Sequence, residues 1–66
     1  MTRVRSEMTG AELREIRKRL RLTQVKFAAR LGVASNHLAM SERGEKYIGR
    51  TVALFARELD RKGGRR

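Results

Sequence analysis

The stretch from Thr23 to Gly44, T-Q-V-K-F-A-A-R-L-G-V-A-S-N-H-L-A-M-S-E-R-G, leaves the chain few ways to fold. Phe27, Ala28 and Leu31 fall at i, i+1 and i+4, one apolar face of a 3.6-residue repeat. Thr23 stands where a helix N-cap belongs, because its hydroxyl can accept from an orphan N–H of the first turn. Gly32 follows the last apolar residue, where a helix end commonly needs a left-handed residue. A second helical pattern spans 35–43 and turns Leu38 inward. Two short helices joined at a steep angle by a Gly-containing turn form a helix-turn-helix.

The flanking segments supply the rest of a small core. Thr9-Gly10-Ala11-Glu12 is a capping box, T-x-x-E, opening a first helix that runs to about Leu20. Leu13, Ile16 and Leu20 form its buried stripe, and Glu15 and Arg19 are spaced for an i,i+4 pair on its exposed side. Arg17, Lys18, Arg19 and Arg21 gather late in this helix, at the negative end of its dipole. Residues 44–49 read as a turn with glycine at both ends, from which Ile48 plugs the core and Tyr47 offers either a packing ring or a hydroxyl to phosphate. The last helix runs from about Arg50 to Lys62, with Val52, Phe55, Ala56 and Leu59 as its apolar stripe and Leu54 off it. This divides the chain into a flexible basic arm (1–8), a helix-turn-helix domain (9–62) and a basic tail (63–66). The arm, with Arg3 and Arg5, reads either as a frayed terminus or as a segment tracking a phosphate or a minor groove.

The pattern Thr23-Gln24-x-x-Phe27-Ala28-x-x-Leu31-Gly32-Val33, then Leu38, then Glu42-x-Gly44, resembles the phage-repressor (Cro-like, XRE-type) helix-turn-helix DNA-binding family. Leu13-x-x-Ile16-Arg17 upstream and Val52-Ala53-Leu54-Phe55 downstream extend the likeness over residues 9–60. The resemblance implies an all-α, compact five-helix repressor-type domain whose helix at 35–43 enters the major groove while the helix before it crosses the backbone. It also implies a partly buried ion pair between Arg17 and Glu42, and a Gln24 that contacts phosphate and steadies the recognition helix.

On that helix Leu38 faces inward, which leaves Ser35, Asn36, His37 and Met40 as base-contact candidates. An Asn amide can bond adenine N6 and N7 together, and a Met can touch only an apolar group such as the thymine methyl. His37 is the sole histidine, and one histidine makes no metal site. Lys26, Arg43, Lys46 and Arg50 join Gln24 as phosphate-contact candidates from position and charge. Two positions depart from the family. Ala34 replaces the usual Ser, so the cap is lost or moves to Ser35. Ser41 replaces a large apolar residue, so Met40 turns inward to compensate or the helix rotates.

The 66 residues hold one small domain with a thin core, and 17 Lys and Arg against 7 Asp and Glu give a charge of +10. Such an excess favours a polyanionic partner, here double-stranded DNA. No apolar run suits a membrane span or a signal peptide, the basic residues do not line one face of an amphipathic helix, and no cysteine is present, which fits a cytoplasmic setting. No nucleophile has a matching base, no acids form a catalytic pair and no Gly-rich phosphate loop occurs, so an enzyme is not expected, and neither is a cofactor.

The expected function is a sequence-specific transcriptional regulator, a small dimeric repressor and autoregulator on a pseudo-palindromic operator, with Leu54 at the homodimer interface. With no effector domain, no small-molecule effector is expected. Free-standing regulators of this type resemble those of phages and mobile elements, including those beside anti-CRISPR genes, restriction systems and toxins. The alternative is an antitoxin or adaptor whose last helix and arms grip a protein partner.

Overall fold

The computed structural model describes residues 7–63, which form four helices and their connections with no strand among the described residues. They are α1 (Gly10–Arg19), α2 (Gln24–Leu31), α3 (Ser35–Glu42) and α4 (Arg50–Gly63). The all-α class stands, and the five-helix count is corrected to four. The chain between α3 and α4 has no room for another helix. Gly44 turns left-handed (φ 83°) to end α3, and the Gly49 carbonyl already accepts the first bond of α4 from Ala53 N–H. Ile48, between them, is buried as expected, whereas Tyr47 is exposed and no core ring.

The capping box of α1 forms in full. Glu12 N–H donates to Thr9 Oγ1 at 3.0 Å, and Thr9 N–H donates to Glu12 Oε1 at 3.1 Å. Thr23 caps α2 in the same sense through Lys26 N–H. The first three helices all end in one motif, a left-handed residue whose own N–H and the N–H after it both bond back into the last turn. Gly32 (φ 77°) and Gly44 supply that residue for α2 and α3. At the end of α1 the residue is Arg21 (φ 59°), with Arg21 N–H bonded to Lys18 O and Leu22 N–H to Arg17 O. A side chain there costs about 1–2 kcal/mol that glycine avoids.

The core is Met8, Leu13, Ile16, Phe27, Ala28, Leu31, Leu38, Ile48, Ala53 and Ala56. Two of its members correct the sequence reading. Met8, placed in the arm, is only 3% exposed. Beside it Glu7 N–H donates to Ile48 O, and Arg57 donates to Glu7 O. The rest of the expected arm (1–6) and residues 64–66 of the tail lie outside the described residues. On α4 the expected stripe of Val52, Phe55, Ala56 and Leu59 changes at one place, where Ala53 takes the inward position given to Phe55. Ala53 and Ala56 face inward, Val52 and Leu59 flank them, and Phe55 is 51% exposed next to Leu54 at 53%. Two alanines let the α4 backbone lie close on the core, which the larger Phe55 could not do.

Helix α1 is tied to both α3 and α4. A Cβ built on Gly10 would sit 2.5 Å from Ser41 O and 2.6 Å from Glu42 O, so only glycine permits this approach of α1 to the end of α3. At its other end Arg19 forms two hydrogen bonds to Asp60 of α4, at 3.1 and 2.8 Å, instead of pairing with Glu15. A carboxylate across the helix pair can meet the guanidinium fork squarely, which a neighbour on the same helix does poorly. The hydrogen bond from Arg19 holds the Asp60 carboxyl below its ordinary value. The pair therefore contributes above the unfolded-state carboxyl pKa, and that contribution disappears as pH falls through the lowered folded value.

The first turn of α3 is uncapped. Ala34 holds the N-cap position with extended backbone and gives no side-chain bond, while Ser35 is already the first helical residue, so the cap is lost and not moved. Ala34→Ser should raise stability by roughly 0.5–2 kcal/mol, read as a higher melting temperature by circular dichroism. An unchanged melting temperature would mean that water already satisfies that turn.

Candidate nucleic-acid interface

One carboxylate organises the site. Glu42, the last residue of α3, accepts from Arg17 Nε at 2.7 Å on one oxygen. Its other oxygen accepts from Arg17 Nη2 at 3.1 Å and from Gln24 Nε2 at 3.0 Å. The third nitrogen of the guanidinium, Nη1, donates to Leu22 O at 3.2 Å. A single arginine thus holds the end of α1, the turn into α2 and the end of α3. The side chains of Arg17 and Glu42 are 16% and 4% exposed, so the pair is largely out of water. The planar fork of Arg is what allows two parallel bonds to one carboxylate.

Held in this way, α3 turns Leu38 and Ser41 inward and leaves Ser35 and Asn36 exposed. His37, Ala39 and Met40 sit half-buried along its edges. Met40 therefore stays at the edge and does not fill the space left by the small Ser41. Ser41 instead lines a shallow depression together with Met8, Gly10 and Ile48. The sequence reading missed Met8 because it lies before the capping box, outside any helical period.

The phosphate candidates divide. Gln24 gives one amide hydrogen to Glu42 and keeps the other, so the residue steadies α3 directly. Arg43 reaches Glu45 with two bonds of 3.1 Å, both side chains well exposed, and this contact lowers the Glu45 carboxyl pKa and raises that of Arg43. Lys26 on α2, Lys46 in the turn and Arg50 at the head of α4 are exposed. Gln24 and Arg43 meet Arg17, Glu42 and Ala39 around one polar notch, and the sixth residue of its lining is Arg14. The sequence reading passed over Arg14, although its place three residues before Arg17 puts it on the same face of α1.

Charge is distributed unevenly around this site. From Gln24 to Gly44 the only acid is Glu42, against Lys26, Arg30 and Arg43. Of the remaining acids, Glu12, Glu15 and Asp60 line a groove between α1 and α4, and Glu58 pairs with Arg61 and Lys62 at the end of α4. Among the described residues no three of His, Cys, Asp and Glu gather as a metal site, and no helix is long and apolar enough to cross a membrane. Comparison with family models, with curated proteins and with solved structures finds no match for this chain.

Removing one partner of a buried pair strands the other charge, at a cost of about 3–5 kcal/mol. Glu42→Ala should therefore lower the melting temperature far more than Glu45→Ala, whose pair with Arg43 lies in solvent and is screened by water and salt. Equal melting curves for the two variants would contradict the central place given to Glu42.

Proposed function

We propose that the protein is a sequence-specific DNA-binding transcriptional regulator, a small repressor that acts in the cytoplasm by occupying its operator. The observation that carries this reading is the anchoring of α3. The helix is short, exposes Ser35 and Asn36, and is gripped at its far end by Arg17, Glu42 and Gln24. A helix that reads base edges must be held rigidly from behind while its outer side chains stay free. The net charge of +10 supports a polyanionic partner, and the near absence of acids from Gln24 to Gly44 supports this side as the DNA-facing one. In this reading α2 and α3 are the helix-turn-helix. Ser35, Asn36, His37 and Met40 face the bases, and Gln24, Lys26, Arg43, Lys46 and Arg50 meet phosphates.

The protein acts as a homodimer on a pseudo-palindromic operator, with half-sites about 34–36 Å apart. The side-by-side exposure of Leu54 and Phe55 supports an interface on α4, now wider than Leu54 alone. Two apolar side chains make a modest surface, so dimerisation is expected to tighten on DNA. The same pair also favours the second reading, an antitoxin or adaptor that grips a protein partner. By resemblance, the regulated operon belongs to a phage or mobile element.

Selection from a random DNA pool by the purified protein tests the first reading. A symmetric motif is expected, bound by two protomers in sedimentation. Asn36→Ala should cost about 1–3 kcal/mol on the selected site and relax one base position. Lys46→Ala or Arg50→Ala should weaken all DNA alike and flatten the salt dependence. Recovery of no sequence, with tight capture of one protein from the source cell, would favour the second reading.

A further inference from the structure

The notch between α1 and α3 joins groups that the function above does not fully use. It has a volume of about 360 Å³, with Ala39 leaving it open and Arg14, Arg17, Gln24, Glu42 and Arg43 around it. Three arginines against one carboxylate leave two positive charges in excess. Their commitments differ. Arg17 is spent on Glu42 and Leu22, and Arg43 is held by Glu45. Arg14 has neither an ion pair nor a hydrogen bond among the described residues. One hydrogen of the Gln24 amide is also uncommitted. The positive end of the α2 dipole lies here too, since Gln24 is the first residue of that helix.

We infer that this notch seats a single backbone phosphate of the DNA, with Arg14 as its principal cation. The inference rests on the DNA-binding reading and deepens it. A phosphodiester carries one charge and two free oxygens, which an arginine fork can meet together while an amide N–H supports one of them. Glu42 does not oppose the anion, because Arg17 neutralises it and three donors occupy its oxygens. The contact also has a use that a phosphate bond elsewhere would lack. It touches the side chains that anchor α3, so it sets the depth of that helix in the groove while carrying no base information itself.

The test compares Arg14→Gln, Arg14→Lys and a distant control, Lys62→Gln at the end of α4, on the selected operator. Each phosphate contact contributes about 0.9 to the slope of log affinity against log salt. Arg14→Gln should lower the steepness by about one, so that its deficit relative to the parent narrows about 3.5-fold between 50 and 200 mM salt. The selected sequence and the melting temperature should stay as in the parent. Arg14→Lys should keep the slope, and Lys62→Gln should leave it unchanged. An Arg14→Gln slope equal to that of the parent would overturn the inference while leaving the regulator reading intact. An equal drop for Lys62→Gln would also overturn it, since the effect would then be one of net charge alone. A parent protein that binds no DNA would remove both readings together.

Discussion

The Arg17–Glu42 contact sets how α1, the turn into α2 and α3 sit against one another. Its geometry is demanding, because the guanidinium meets one carboxylate with two nitrogens and a backbone carbonyl with the third. A buried ion pair is a weak source of net stability, since removing both charges from water offsets most of their attraction. Its value here is positional. Hydrophobic contacts between α1 and α3 would tolerate small slides, whereas a bidentate pair with an added amide donor tolerates very few. The end of α3 is thus referenced to α1, and its start to the tight turn at Gly32.

Around that reference the chain relies on economical local devices. The core is thin, and three of its ten members are alanines. Caps and left-handed turns therefore carry an unusual share of the burden of stopping each helix at the right residue. The scheme is imperfect in two places: Arg21 sits where glycine would be easier, and Ala34 leaves α3 without a side-chain cap. The first lies in the turn before α2 and the second in the turn before α3.

Much of this was legible from residues alone. Thr9 with Glu12, Thr23 and Gly32 mark helix ends through local chemistry, so the sequence shows them directly. The Arg17–Glu42 pair was also anticipated, though by resemblance and not by spacing. What escaped depends on packing between distant segments. Phe55 fits a helical stripe as well as Ala53 does, and only the close approach of α4 to the core selects the smaller residue. Met8 could not be assigned inward without knowing that the chain beside it is tied to Ile48. Arg19 had a plausible local partner in Glu15, and the better one, Asp60, lies far along the chain. Arg14 drew no reading from its place in the sequence, because the notch beside it exists only where α1 meets α3.

The crowding at Gly10 has a mechanical consequence. Its neighbours there are backbone carbonyls of α3, which cannot swing aside as a side chain would. Any side chain at this position must push two helices apart as rigid bodies, and the displaced helix is the one that carries Ser35 and Asn36. Under the proposed DNA-binding function, a residue with no polar group would then govern operator recognition. The fold could remain, held by its other contacts, while the reading helix stands off its groove. Loss of recognition without loss of structure would trace back to the absence of one methyl group in the native chain.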